Sequence, residues 1–449
     1  MRRTSDRVPS TARGPPATLL QDTLLELFPS DVLQRIAEET GFVRRHRKVD
    51  PVAFFWAVTL EAGVYLQRSL EQLRFAYNHK APKPLYSYAS FYDRFTPELV
   101  EFLHQCVAYG LSQLRSAPGN HLSPKLARFE DILIQDSTIV RLYASLAAIY
   151  PPVRTNHPTA GVKVATLVSI RANGPKRVEL YAESTNDRDT LKVGSWVRNS
   201  ILLTDLGFYK HQAFARVEEN GGFYLTRLQP QVNPRLVRTL RVHRGAAIEL
   251  EGKRWKEVQP HLRREVLDAE VEIDFDRRKY GGHQSRDTLT ARLVAVWNEE
   301  TRKYHAYLTN LPVDVLSAEE VASLYGCRWE VELVFKELKS EYALDRVNTS
   351  NRSVVEALLW ASILTMVVSR RLHTAVRERI KEEYRARYTP IRWARAFREQ
   401  SGRILDALMD RLHRIRIEPE PLLEIARALM ARALDPNAGR TRFRAEYWA

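Results

Sequence analysis

Thiols are nearly absent from this sequence: of 449 residues, only Cys106 and Cys327 are cysteines. Two so far apart supply neither a disulfide framework nor a cysteine zinc site, and they suit a reducing cytoplasm. Long apolar runs are missing as well. The longest candidate, Val354 to Val368, is interrupted by Glu356 and followed by Arg370 and Arg371, which falls short of the ~18 apolar residues a bilayer crossing needs. That stretch is expected to be a buried helix, and no membrane partner is expected. Residues Met1 to Pro16 are rich in Arg, Pro, Ser and Thr without an apolar core. They read as a flexible basic arm and not as a secretory signal. Neither an internal repeat nor a long low-complexity segment is found.

Positive charge, by contrast, is abundant. Lys and Arg number 69 against 54 Asp and Glu, a formal net charge of +15, in a chain that is 44% hydrophobic and therefore globular. The length suggests roughly two to four domains. Such a charge calls for a polyanionic partner, and duplex DNA presents one charge per ~1.7 Å. A membrane surface is disfavoured because no sustained basic amphipathic helix is paired with exposed apolar residues.

The hydrophobic period divides the chain. From about Thr18 to Ala117 apolar residues recur at helical spacing, as in Leu24, Leu25, Leu27, Phe28, Val32, Leu33 and Ile36. Asp50-Pro51 opens another helix. After Pro82 and Pro84 come Tyr86, Tyr88, Phe91, Tyr92 and Arg94, a mixture that suits DNA contact or plain helix packing. The period then shortens. Strands are expected at Asp131–Asp136, Lys163–Ile170, Arg177–Ala182, Ile201–Asp205 and Gly222–Arg227, with helices at Asp189–Asn199 and Phe214–Glu219. Three strands, a helix, a strand, a helix and a strand is the order of a ribonuclease-H-like core. In that order the first and fourth strands are central neighbours, so Asp136 and Asp205 would meet at their carboxyl ends, where α/β sheets place active sites.

Residues from about Gln229 to Pro312 read as a mostly β insertion. It carries basic clusters at Lys253, Arg254 and Lys256 and at Arg277, Arg278 and Lys279, suited to phosphate contact or to guarding an edge strand. Ser317-Ala-Glu-Glu320 is a capping box that starts a helix expected to run on through Lys339. The tail beyond Asn351 is again helical and dense in arginine, including Arg377, Arg379, Arg385, Arg387, Arg392, Arg395 and Arg398.

On the capped helix Tyr325, Arg328, Glu332 and Lys339 stand in a Y-x2-R-x3-E-x6-K spacing. At about 100° per residue they fall within roughly 60° of one another on one face. A carboxylate flanked by two cations and a phenol suits a metal-bound phosphate. Asp131 opens its strand, Asp187 and Asp189 read as helix caps, and Glu330 and Glu337 miss the spacing. The acids that remain are Asp136, Asp205 and Glu332. Trp329 is expected to point off that face and pack.

The spacing resembles the signature of DDE transposases of the insertion-sequence-4 family, and Asp205-Leu206-Gly207-Phe208 resembles that family's second acidic block. The resemblance covers about Glu130 to Asp345. It implies that Asp136, Asp205 and Glu332 are the catalytic metal-binding triad, holding two Mg²⁺ ions or Mn²⁺ in their place. Tyr325, Arg328 and Lys339 would then contact DNA. It further implies end cleavage and joining to target DNA by a homodimer on paired ends, in the cytoplasm with the nucleoid of a prokaryotic host. For family members that cut through a hairpin, Trp297, Tyr304 or Tyr307 could stack on a flipped base.

The expected organisation is a basic arm at 1–16, a helical DNA-binding domain at 17–125 and the first part of the core at 126–228. The β-rich insertion follows at 229–313, the second core part with the catalytic helix at 314–350 and a helical region at 351–449. A metal-dependent nuclease of the same fold, and a catalytically silent DNA-binding regulator derived from a transposase, remain as alternatives. The presence of all three acids and the flanking Tyr, Arg and Lys argues against the regulator.

Overall fold

The structure is a computed structural model that describes residues 18–44, 49–62, 69–116, 122–153, 159–241, 249–277, 282–385, 387–414 and 419–435. The arm at 1–16 and the pair Arg278 and Lys279 lie outside the described residues.

Among the described residues six α-helices come first: α1 (Leu19–Leu27), α2 (Ser30–Glu39), α3 (Pro51–Ala57), α4 (Leu70–Lys80), α5 (Tyr88–Tyr92) and α6 (Pro97–Ser116). Asp50 caps α3 by accepting from the N–H groups of Val52 and Ala53, with Pro51 in the first turn where no N–H is needed. Phe91 is fully buried and Tyr92 is partly buried, whereas Tyr86 and Tyr88 are exposed.

Among the described residues nine strands then form one sheet. They are β1 (Asp131–Leu142), β2 (Ala160–Ser169), β3 (Gly174–Ala182), β4 (Ser200–Thr204), β5 (Phe223–Arg227), β6 (Arg235–Thr239), β7 (Val266–Asp276), β8 (Arg286–Asn298) and β9 (Lys303–Thr309). The spatial order is β3-β2-β1-β4-β5-β9-β8-β7-β6. β1, β2 and β3 pair antiparallel, and β4 and β5 join parallel to β1. This is the ribonuclease-H-like order, and the mixed α/β class holds. All ten residues of β2 and all five of β4 are buried, as strands covered on both faces should be. The inserted strands lengthen this same sheet: β9 pairs antiparallel with β5 at Leu225–Thr309, Thr226–Leu308 and Arg227–Tyr307.

Two readings of local structure within 126–228 are corrected. Asp136 does not end its strand, since β1 runs on to Leu142. The expected helix over Asp189–Asn199 is a four-residue turn of helix, α7 (Asp187–Thr190), and a short 3₁₀ turn at Ser195–Val197. Gly194 in an extended conformation separates the two.

Helices cover both faces. On one lie α10 (Ala318–Tyr325), α11 (Trp329–Ser340) and α12 (Arg352–Arg377), continuous with the N-terminal helices through a core that includes Ile132, Ile134, Ile201 and Leu203. On the other, α8 (His211–Glu219) and α9 (Trp255–Val258) cover Leu133, Leu202, Leu293 and Leu308. The chain closes with α13 (Glu382–Arg385), α14 (Pro390–Leu412) and α15 (Pro419–Ala433). α12 is long and apolar enough to cross a membrane, but 89% of that window is buried inside the fold.

Two buried ion pairs fix the helices that bear on the site. Arg370 of α12 holds Glu337 of α11 and donates to the Asn173 carbonyl in the β2–β3 turn, so α11 cannot slide along the sheet without stranding a charge. Arg292 of β8 grips Asp268 of β7 at 2.6 and 2.8 Å and donates to the Leu316 carbonyl just before α10.

Candidate active site

The last parallel pair between β1 and β4 is Gln135 with Thr204. Asp136 and Asp205 are the next residues on the two strands, so they leave the parallel ladder at one level. Side chains alternate along a strand. Both acids therefore share the face of Ile134 and Leu203, the face that α11 covers. β1 continues because β2 still pairs with it, Asp136 standing opposite Thr166. Asp205 begins a short 3₁₀ turn, Leu206–Phe208.

The helix read as continuous is not. Ser317 and Glu320 form the expected capping box, but a 3₁₀ turn at Gly326–Arg328 separates α10 from α11. The turn falls between Tyr325 and Glu332, so the four signature residues are not on one ideal helical face. They nonetheless reach the sheet. Tyr325 is 9% exposed and its hydroxyl donates to the Thr204 carbonyl at 3.4 Å, with its ring 5.3 Å from that of Tyr307. Arg328 donates to Glu332 Oε1 at 2.7 Å, and its Nη1 is 3.5 Å from Asp136 Oδ2. Lys339 Nζ donates to the Ile139 carbonyl at 3.0 Å.

Burial pushes the Asp136 carboxyl up to about 6, the charges of Asp205 and Asp187 add to this, and the Ser137 N–H and Arg328 oppose it. Burial, followed by the charge of Asp205, also raises the Tyr325 hydroxyl well above its ordinary value, which keeps it a donor. Among the described residues no three acidic, cysteine or histidine side chains converge on one ion position. The donor chemistry nevertheless fits a hard cation: Asp136 and Asp205 are level oxygen donors on adjacent strands. Arg328 stands between Glu332 and Asp136, paired with both. Thr166, opposite Asp136, is fully buried with an unpartnered hydroxyl oxygen.

Other expected contacts fall elsewhere. Trp297 and Tyr304 pack on each other at 5.1 Å. Their register puts them on the sheet face opposite Tyr307, so of the three aromatics only Tyr307 shares the face of Asp136 and Asp205. Trp329 does not pack: it is 62% exposed, with Arg328 5.7 Å from its ring. Arg395 and Arg398 pair with the buried Glu341, and Arg385 and Arg387 donate to backbone carbonyls. Much of the arginine-rich tail therefore ties helices together. In the insertion, Arg277 pairs with Glu219 and Asp287.

Three residues went unread in the sequence. Arg227 ends β5 one position past the Thr204–Thr226 pair, level with Asp205. It is exposed and enters no ion pair among the described residues. Ser137 and Lys163 were passed over too, although a lysine between Val162 and Val164 in a wholly buried strand is itself a signal. Asp187 was read as a cap, but Asn186 holds the cap position. Asp187 instead accepts from Ser137 and Lys163.

Comparison with known proteins bears on the family of the chain. A family model described as a transposase DDE domain matches residues 127–368. The chain is 22% identical over 417 residues to the transposase for insertion sequence element IS231B of Bacillus thuringiensis subsp. berliner, covering 82% of this chain and 84% of that one. To the IS1151 transposase of Clostridium perfringens it is 20% identical over 385 residues, covering 78% and 79%. A solved piggyBac transposase synaptic complex with hairpin DNA aligns over 94% of this chain and 86% of that one, at a TM-score of 0.45 and 11% identity.

Proposed function

From the premise that the chain belongs to the family of transposases with a DDE domain, we propose that it binds the terminal inverted repeats of its own element, cleaves the element's ends and joins them to target DNA. The observation that carries this is the level emergence of Asp136 and Asp205 from adjacent parallel strands, with Arg328, at the end of the 3₁₀ turn, paired with both Asp136 and Glu332 of α11.

Asp136, Asp205 and Glu332 would hold divalent ions, two Mg²⁺ or Mn²⁺. A pair of such ions activates the attacking oxygen and stabilises the leaving one in an in-line displacement. The chain's own residues prepare the site. Asp136 must be ionised, which its carboxyl is above about pH 6, and Arg328 must turn from Glu332 to let that carboxylate join the aspartates. A DNA phosphate is the competing anion that would draw the guanidinium away. Tyr325, held protonated, and Arg328 would contact the phosphate nearest the acids. Lys339 is about 10 Å further along the helix from Glu332, so it would serve a different phosphate once it left the Ile139 carbonyl.

In the first step water forms a bond to the scissile phosphorus and the element's 3′ oxygen leaves. In the second that 3′ hydroxyl attacks a phosphodiester of the target, expelling a target oxygen. Two ends must be handled together, so a homodimer on paired ends is the proposed active form.

The test is cleavage of DNA bearing the element's ends, with Mg²⁺ or Mn²⁺, by the native chain and by Glu332→Gln. Metal-dependent 3′-end cleavage that is lost in the variant while end binding survives supports the reading. Cleavage without joining in the native chain would identify a nuclease. Equal cleavage by both would remove Glu332 from the chemistry.

A further inference from the structure

Behind Asp136, on the opposite face of the sheet, a second set of polar groups is assembled. Ser137 follows Asp136 and so faces the other way. Its register partner is Ala165, and Ile139 pairs with Lys163, which places Lys163 on that same reverse face. The Lys163 side chain is 7% exposed, an uncommon place for an ammonium without a partner. Its partner is Asp187: Lys163 Nζ lies 2.8 Å from Asp187 Oδ1 and also donates to the Thr185 carbonyl. The Ser137 hydroxyl donates to the same Asp187 oxygen at 2.7 Å, while the Ser137 N–H donates to Asp136 Oδ1 at 2.8 Å. The Asp136–Ser137 peptide is thus held from both sides of the sheet.

The other oxygen of Asp187 bears on the second acid. Gly207 lies in the turn that Asp205 begins, and a Cβ added there would stand 3.2 Å from Asp187 Oδ2. One carboxylate therefore hydrogen-bonds the residue after Asp136 and abuts the turn after Asp205. We propose that Asp187 is a positioning residue that sets the spacing and orientation of Asp136 and Asp205 for divalent-ion binding, with the buried Lys163 balancing its charge. The inference rests on the reading of Asp136 and Asp205 as metal-holding residues. A fourth carboxylate at the site would repel ionised neighbours. Lys163, reaching it from the reverse face, offsets that repulsion without competing for the ions in front. Ligand carboxylates generally need such outer partners to keep their aim.

The experiment is a Mn²⁺ titration of the full chain without DNA, followed by electron paramagnetic resonance. It uses the native protein, Asp187→Ala, Ser137→Ala and the neutral pair Asp187→Asn with Lys163→Met, with Asp136→Asn as the benchmark. Asp187→Ala is expected to weaken Mn²⁺ binding about 10- to 100-fold, and Ser137→Ala to weaken it less. The neutral pair restores an acceptor for the Ser137 hydroxyl without an unpaired buried charge, and is expected to recover most of the loss. Metal-free binding to end DNA and thermal melting of Ser137→Ala should match the native chain. Unchanged Mn²⁺ affinity in Asp187→Ala and Ser137→Ala, with Asp136→Asn impaired, overturns the inference and leaves the acid pair standing. Unchanged affinity in Asp136→Asn overturns the acid-pair reading itself. If Asp187→Ala does not fold, Ser137→Ala decides, because it keeps the Lys163–Asp187 pair. Native affinity there, or a loss matched by a fall in melting temperature, overturns the proposal.

Discussion

Arg328 donates to Glu332 across one helical turn at 2.7 Å, while its other nitrogen faces Asp136 at 3.5 Å. The guanidinium thus stands between two acids of the proposed triad, and a metal ion must displace it. Arg328→Gln is expected to bind Mn²⁺ more tightly than the native chain in the absence of DNA, by roughly threefold to tenfold. It should nonetheless cleave end DNA at least ~10-fold more slowly, because the proposed phosphate contact is lost. A calorimetric Mn²⁺ titration beside a cleavage assay checks both. Weaker Mn²⁺ binding in the variant would show that Arg328 orders Glu332 instead of withholding it.

The pH dependence follows from Asp136. Its folded carboxyl titrates at about 6, chiefly through burial, against an ordinary value of 3.8. Between those values the folded chain keeps a proton that the unfolded chain has lost, so the stability this proton confers is present below about pH 4 and gone above about pH 6. The metal-free melting temperature of the native chain should therefore fall relative to Asp136→Asn as pH rises through that window. Mn²⁺ binding should strengthen over the same range. Parallel melting curves for the two proteins would contradict this.

Arg227 is the exposed cation level with Asp205, free of ion pairs among the described residues. A cation that meets a phosphate contributes about one unit to the salt slope of binding. Arg227→Gln is expected to flatten the plot of log affinity against log salt by about one unit on end DNA, with little change in stability. An unaltered slope would place the DNA elsewhere.

The buried pair Arg370–Glu337 should matter to stability more than any surface pair. Their side chains are 5% and 1% exposed. Removing one partner strands the other, at a cost of about 3–5 kcal/mol. Arg370→Met should lower the urea midpoint sharply. Arg370→Met with Glu337→Leu should regain much of the loss, and an equal loss in the double variant would mean that the Asn173 contact is the larger contribution.

Trp329 gives the opposite expectation. At 62% exposure, Trp329→Ala should change stability by no more than about 0.5 kcal/mol, measured by the same urea unfolding.

The sequence made the central acids legible because short apolar runs ending in Asp are local signals, and the order of strands supplies their adjacency. The insertion-sequence-4 resemblance holds at the level of the DDE transposase family. What local pattern could not supply was pairing. That β1 outlasts Asp136 depends on β2 continuing beside it, and nothing in Asp131–Asp136 encodes the length of its partner. Asp187 looks like a cap because short polar residues before a helix usually are. Its bond to Ser137 spans fifty positions and becomes visible only when the strands are laid together. Trp329 was misjudged for a similar reason: the face it presents depends on the 3₁₀ turn at Gly326–Arg328, which shifts the phase of the helix.

The inserted strands have a consequence for anyone trimming this protein. They join the core sheet through the three pairs of β5 with β9, so excising the insertion would uncover the backbone donors and acceptors of β5 beside the turn that Asp205 begins. A freshly cut selvedge of that kind recruits other chains edge to edge. A shortened enzyme would therefore need a replacement hem along β5, and a flexible linker across the gap would yield fibrils or inclusion bodies in place of a smaller catalyst.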